Sequence, residues 1–185
     1  DRDYYLLEDE STVKIRNAYR QYIDRLFVLA GYTAEEAAKA ADAVLALETE
    51  IAKVSVDRAT LRDVHKNYNK ITIKEFTSKY DFLDWNEFFR ETGISKSTEL
   101  NAGQIPFFEG LTKVLKNTSL EDQKEYLTFK LLNSASNYLS EDFVNANFEY
   151  FGKAVQGREE LQPLWKRSLS VVNRSLADAF GQLYV

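Results

Sequence analysis

The chain has 185 residues, of which 44% are apolar and 29% charged, a composition typical of a folded domain and not of a disordered chain. Its net charge of −5 and the lack of any basic run longer than Lys166-Arg167 disfavour binding to nucleic acid or to an anionic membrane surface. It has no cysteine, which excludes disulfides and thiolate metal sites. No uncharged apolar stretch reaches the roughly 18 residues of a membrane span.

The sequence begins at Asp1 and contains no methionine, so we expect a fragment or a processed chain. A signal peptide is expected to be absent or already removed, because the first residues are acidic rather than basic and then apolar. The lack of cysteine leaves the compartment open, since secreted bacterial proteins often have none.

Two long helices are predicted in the first third of the chain. After an irregular acidic lead-in at residues 1–10, apolar residues recur at helical spacing over residues 12–30, and Gly31 is a suitable C-cap. A Thr-Ala-Glu-Glu capping box opens the second helix, over residues 33–54. Helix, tight turn and helix predict an antiparallel pair. The predicted core positions are Ile15, Tyr19, Tyr22, Ile23, Leu26, Phe27, Ala37, Ala41, Val44, Leu45, Leu47 and Ile51.

Shorter elements are predicted in the middle of the chain. The sequence leaves the conformation of residues 57–70 open. Capping sequences predict short helices over residues 72–80 and 84–90. The stretch 93–105 contains several Gly and Ser residues and is predicted as a loop, with at most one short strand near 97–105.

Four further helices are predicted, each beginning at a proline or a serine. They cover residues 106–116, 119–139, 140–155 and 163–180. One side of the last helix carries Trp165, Leu169, Val172, Leu176 and Phe180 and is predicted to face the core. Because no linker or repeat interrupts the chain, we predict one all-α domain over residues 1–185, built from antiparallel helix pairs.

The residues do not support zinc chemistry in this chain. A hydrolytic zinc site needs about three protein ligands, usually histidines with a carboxylate, but the only histidine is His65. No catalytic, cofactor-binding or metal-binding residue is therefore predicted. His65 could serve as a general base, yet no serine can be paired with it from sequence. A partly exposed residue at a loop or helix end is the favoured interpretation.

Adjacent carboxylates and clustered aromatic residues each have two interpretations. The carboxylate pairs could perform acid–base chemistry on a glycoside, but each lies in the first turn of a predicted helix, where negative charge stabilises the helix dipole. The aromatic clusters could bind a peptide or a sugar, but at helical spacing core packing is favoured. The pairs are Glu35/Glu36, Glu121/Asp122 and Glu141/Asp142, and the clusters are Trp85/Phe88/Phe89, Phe107/Phe108 and Phe148/Tyr150/Phe151.

Short segments spread in order along the chain match a known pattern. They are Asp1-Arg-Asp-Tyr-Tyr-Leu6, Tyr68-Asn-Lys-Ile-Thr72, Phe82-Leu-Asp-Trp-Asn86, Tyr126-Leu-Thr-Phe-Lys-Leu-Leu-Asn133, Trp165-Lys-Arg167, Val172-Asn173 and Gly181-Gln-Leu-Tyr-Val185. Together they resemble the N-terminal region of the neprilysin family of zinc endopeptidases, which includes neprilysin, endothelin-converting enzyme and the bacterial endopeptidase PepO.

The resemblance implies that this chain is most of a helical lid, which encloses the substrate cavity and restricts access to small peptides. The zinc ligands would lie in a separate catalytic domain of the same parent chain, so this chain alone is expected to be inactive and to hold no zinc. Where vertebrate members have cysteines, this chain has Leu6-Leu-Glu and Ser168-Leu-Ser, which favours a bacterial, PepO-like source. A secreted, periplasmic or cell-envelope location is implied in that case. The alternative is a free-standing helical module that binds a peptide or a sugar.

Overall fold

The computed structural model describes residues 2–94 and 96–184 of the chain, with side chains up to Gln182. Helices dominate it, as predicted. A short helix, α1 (Asp3–Leu6), precedes two long ones, α2 (Glu10–Leu29) and α3 (Ala34–Val54). The predicted capping box is present at Thr33, and Gly31 adopts a φ of 99° in the tight turn. The helix α1 lies within residues 1–10, so the prediction of an irregular lead-in was wrong there.

The middle of the chain contains short helices and one small sheet. Its elements are α4 (Arg58–Arg62), β1 (Lys70–Thr72), α5 (Ile73–Lys79), α6 (Trp85–Glu91) and β2 (Glu99–Asn101). Strand β2 lies in the predicted stretch, whereas β1 was not predicted. The two strands pair antiparallel, with Ile71 opposite Leu100. A three-residue strand has too few residues to show a period, and it forms here because a distant segment supplies its hydrogen bonds.

The remaining elements are α7 (Ile105–Asn117), α8 (Leu120–Ala135), a 3₁₀ turn (Ser136–Tyr138), α9 (Glu141–Asn147), a π-helix (Phe148–Val155), α10 (Leu164–Ser175) and α11 (Ala177–Tyr184). Three of the predicted helices are thus each divided in two. The π-helix continues α9. The Phe148 ring lies directly against the backbone of Gly152, because a Cβ built on Gly152 would lie only 2.2 Å from that ring.

The main core lies between α2, α3, α8 and α9. Phe129 of α8 is fully buried in this core with residues of α2 and α3. Most predicted core positions of α2 and α3 are buried, namely Tyr22, Ile23, Leu26, Phe27, Ala37, Ala41, Val44 and Leu47, while Ile15, Tyr19, Leu45 and Ile51 are partly buried. A second, smaller cluster is centred on Phe76, Tyr80 and Ala102. None of the helices in residues 2–94 and 96–184 combines the length and the hydrophobicity of a membrane span.

The predicted core face of the last helix is the main correction to the fold. Trp165 and Leu169 of α10 are exposed, and so are Val172 and Leu176. Phe180, in α11, is half-buried. Helical spacing identifies an apolar side, but it does not show whether this domain covers that side.

Candidate functional site

His65 lies in the turn that follows α4, with its side chain exposed. Its backbone N–H donates to the Asp63 carboxylate at 3.0 Å, and its carbonyl accepts from Tyr68. Among the described contacts, none joins His65 to a serine. The structure therefore assembles no nucleophile–base pair at this residue.

The three carboxylate pairs occupy the first turns of α3, α8 and α9. The Glu36 carboxylate accepts the Thr33 N–H at 2.9 Å, and this hydrogen bond holds the pKa of Glu36 below its usual value. The Asp122 carboxylate accepts a hydrogen bond from the hydroxyl of Ser119, the N-cap residue of α8, at 2.7 Å. Across residues 2–94 and 96–184, no group of three His, Cys, Asp or Glu residues is placed to hold a metal ion.

Rings of the predicted aromatic clusters pack against neighbouring aromatic rings. Trp85 meets Phe76 edge-on at 4.9 Å and stacks on Phe89 at 5.9 Å, and its indole N–H donates to the Tyr80 carbonyl. Tyr150 stacks on Tyr22 of the main core at 5.3 Å. The Trp85 and Tyr150 rings therefore contribute to packing within the domain.

A buried carboxylate, Glu48 of α3, was missed by the sequence analysis. It is only 7% exposed, and its Oε2 accepts a hydrogen bond from the Tyr5 hydroxyl at 3.0 Å. The ammonium group of Lys130 in α8 lies 3.6 Å from Oε1 and 5.6 Å from the centroid of the Tyr126 ring. Burial of a carboxylate is costly unless it is paired, and these contacts compensate its charge. The sequence does contain a signal for this buried carboxylate, because Glu48 follows Val44 by four positions and therefore lies on the apolar side of α3.

Several tyrosine pKa values are raised around this carboxylate. Burial is the main cause at Tyr5 and Tyr19, and the negative charge of Glu48 is the second. The same two causes raise the pKa of Tyr150 to about 12. The raised pKa values favour the neutral form of these tyrosines, in which the hydroxyl can donate a hydrogen bond, as Tyr5 does to Glu48.

An open cavity of about 450 Å³ lies beside Glu48, between α1, α3, α4 and α7. Tyr5 and Tyr126 contribute aromatic walls, and Phe107, one of the predicted aromatic residues, also lines it. The cavity offers a carboxylate, tyrosine hydroxyls and apolar surface. It can accommodate part of another polypeptide or a small polar group, and its described lining residues include no histidine or cysteine.

Helix α10 carries the most exposed aromatic and apolar side of the C-terminal segment. Leu164 is 68% exposed and Trp165 64%. The guanidinium of Arg174 reaches Tyr138 at 2.7 Å, which ties the end of α10 to the 3₁₀ turn. In the part of the chain that the structure describes, α11 is the main element in contact with α10. Its apolar side is therefore largely uncovered.

The chain is similar along its whole length to part of several larger proteins. Endothelin-converting enzyme-like 1 of Mus musculus is 29% identical over 191 residues, which cover 100% of this chain and 24% of the mouse protein. An endothelin-converting enzyme homolog of Locusta migratoria is 28% identical, covering 100% and 26%. The chain thus spans about a quarter of the length of these relatives.

The fold is also found in solved structures of larger chains. The inhibitor complex of the zinc metalloprotease Zmp1 of Mycobacterium tuberculosis superposes with a TM-score of 0.92 at 30% identity, covering 100% of this chain and 28% of that one. PepO of Lactobacillus rhamnosis shares the fold at a TM-score of 0.78 and 18% identity, with coverage of 100% and 29%. The model of the N-terminal region of peptidase family M13 matches residues 1–185. The chain therefore belongs to peptidase family M13, as the N-terminal helical domain of that family.

Proposed function

We propose that this chain is the non-catalytic lid of a zinc metalloendopeptidase, which encloses the substrate cavity and restricts access to small peptides. The partner in this proposal is the catalytic domain of the same parent chain, which would carry the zinc. The uncovered apolar side of α10 is the main support, because large exposed apolar areas mark interaction surfaces.

The internal packing of the domain also supports a lid. The helices α2, α3 and α8 share one core, and the capping boxes at Thr33 and Thr72 define two helix starts. Such a body can move as a unit and exclude water and large molecules when it closes over a site. The domain contains one histidine, so in this proposal it contributes shape and contacts rather than zinc ligands.

We also infer a bacterial source from the absence of cysteine at Leu6 to Glu8 and Ser168 to Ser170. The alternative of a free-standing peptide- or sugar-binding module is supported only by Phe107, which lines the open cavity beside Glu48; the Trp85 ring packs on Phe76 and Phe89.

Peptidase assays with metal analysis test the proposal, on this chain alone and on the complete M13 polypeptide. We expect the chain alone to be inert and zinc-free, and the complete polypeptide to cleave short peptides and to be inhibited by a chelator. Hydrolysis of peptides by the chain alone would contradict the proposal and would reopen the roles of His65 and Glu48.

Access is tested with one target sequence presented in two ways. The complete polypeptide should cleave the sequence as a short peptide, and should cleave it far more slowly when it is a loop of a folded protein. The same loop protein, unfolded and cut into short pieces, is the matched control. Equal kcat/KM for the folded and short substrates would refute a lid that limits access.

A further inference from the structure

The first helix, α1, is held in place by side chains rather than by its own length. It contains only the four residues Asp3–Leu6, and so short a helix is unstable by itself, because nucleation costs more free energy than one turn of hydrogen bonds returns. The Leu7 N–H closes this turn by donating to the Asp3 carbonyl at 3.0 Å. The position of α1 therefore depends on its contacts with the long helices α2 and α3.

Two hydrogen bonds attach the beginning and the middle of α1 to α3. The guanidinium of Arg2, directly before α1, donates to the Ser55 carbonyl at the end of α3 at 2.6 Å. The Tyr5 hydroxyl donates to the buried Glu48 carboxylate at 3.0 Å, and hydrogen bonds to charged groups are stronger than those between neutral groups. The Tyr5 ring also meets Tyr19 of α2 edge-on at 6.4 Å. Tyr5 thus joins the middle of α1 to the interior of the domain.

One side chain of α2 holds the other end of α1. The guanidinium of Arg16 donates to the carbonyls of Tyr5 at 3.1 Å and Leu7 at 2.9 Å, and to the Glu8 carboxylate at 2.9 Å. The last carbonyls of a helix lack partners within the helix, and a cation beside them is favourable. Leu7 has an extended backbone, and α2 begins at Glu10. Residues 7–9 are therefore a short non-helical link between α1 and α2.

Tyr5 lies between two cavities. It lines the open cavity of about 450 Å³ beside Glu48, and it also lines a cavity of about 250 Å³ to which Lys130 and Tyr150 contribute. The Lys130 ammonium lies 3.6 Å from the Glu48 carboxylate, so this ion pair has one member in the wall of each cavity. Movement of Tyr5 away from Glu48 would join the two cavities beside the ion pair.

We propose that residues 2–6 form a strap that opens away from α3 about the link of residues 7–9, with the Tyr5–Glu48 hydrogen bond as its latch. In the open form the two cavities are joined and water reaches the Glu48 carboxylate. A buried carboxylate that loses a hydrogen-bond donor is costly, so release of the latch and hydration of Glu48 occur together. Arg16 keeps its contacts with the link and retains the open strap beside α2. The strap belongs to this domain and does not depend on the lid function.

Cysteine labelling measures the opening of the strap, because the chain has no cysteine of its own. Ala52→Cys is the reporter, since Ala52 of α3 is 4% exposed and lines the same cavity as Tyr5. Ala40→Cys is the matched control, because Ala40 lies on the same helix, is 3% exposed and lines a different cavity. Each is made with and without Tyr5→Phe, in this chain and in the complete M13 polypeptide. The rate of reaction with a maleimide is measured under native conditions, and the unsubstituted proteins give the background.

Tyr5→Phe should increase the labelling rate of the Ala52→Cys variant at least about tenfold, because loss of a hydrogen bond to a charged group raises the population of the open form. The labelling rate of the Ala40→Cys variant should not change. Arg20→Gln removes an ion pair with Asp42 between α2 and α3, away from the strap. It should leave both labelling rates unchanged.

Three results of the labelling experiment would overturn the proposal. An unchanged rate at Ala52→Cys would show that Tyr5 is not a latch. Equal acceleration at Ala40→Cys would show that the whole domain opens rather than the strap. Acceleration in this chain that is absent from the complete polypeptide would indicate fraying at a chain end.

Hydrogen exchange of the unsubstituted complete polypeptide decides the question if Tyr5→Phe does not fold, which circular dichroism shows. The amides of Tyr5 and Leu7 should exchange at one common rate, at least about tenfold faster than the buried amides of α3, because the strap opens as a unit. Exchange of these two amides as slow as that of the α3 amides would overturn the strap.

Discussion

At Gly110, helix α7 closely approaches Val54 at the end of α3. A Cβ built on Gly110 would lie 2.5 Å from the Cβ of Val54 and 2.7 Å from its Cγ1. Carbon atoms prefer a separation of about 3.5–4.0 Å, so Gly110→Ala requires the two helices to separate by about 1 Å. Neither Cβ can rotate away, because both are fixed to the backbone.

The expected effect of Gly110→Ala is a net loss of stability. Overpacking typically costs about 1–3 kcal/mol, and replacement of a helical glycine by alanine returns about 0.5–1 kcal/mol. We therefore expect a loss of about 1–2 kcal/mol in the free energy of unfolding. It is measured by urea denaturation followed by circular dichroism, as a lower midpoint at an unchanged m-value.

Gly181→Ala is the matched control, because Gly181 lies in α11 with nothing within 4 Å of its built Cβ. It should be neutral or stabilising by up to about 1 kcal/mol. Val54→Gly removes the opposing Cβ, so Gly110→Ala should cost less in that background. If the Gly110→Ala variant is as stable as the Gly181→Ala variant, α3 and α7 do not approach each other as closely as described.

Three further predictions concern single side chains. Tyr22→Phe should cost about 1–3 kcal/mol in urea denaturation, because the buried hydroxyl donates to Asn133 at 2.8 Å and accepts from Asn147 at 3.2 Å; an unchanged midpoint would refute this network. Burial and Glu48 raise the pKa of Tyr150 from 10.0 to about 12, so the folded state keeps a proton that the unfolded state loses. The contribution of Tyr150 to the free energy of unfolding should be fully present below pH 10 and be lost as the pH rises from 10 to 12. The Tyr150→Phe variant should therefore lose less stability over this range, and identical pH profiles of the two proteins would contradict the prediction. Trp165→Ser should change the stability of the chain alone by less than about 0.5 kcal/mol, and a loss typical of a core tryptophan would place α10 inside the domain.

The helices that could be predicted are those with local signals. The capping sequences at Thr33, Thr72 and Asp84 begin helices where expected, since each side chain accepts a backbone N–H three residues on. Ser140 also precedes a helix, although its side chain makes no capping hydrogen bond. The resemblance to the neprilysin family was confirmed over the whole chain.

Other features depend on contacts between distant residues. Strand β1 exists because residues about thirty positions later pair with it. The π-helix forms where the Phe148 ring fills the space beside Gly152. Glu48 is buried because Tyr5 and Lys130 converge on it from two other helices. No local pattern contains these partners.

The sequence by itself determined the all-α class, most helix starts and the apolar sides of α2 and α3, because caps and helical spacing act within a few residues. The tertiary structure decided which apolar sides are covered. The apolar side of α10 has the same spacing as a core face, yet Trp165, Leu169 and Val172 on that side are exposed. Periodicity shows that a side must be buried against something, and only the packing of the chain shows that the domain itself does not supply it.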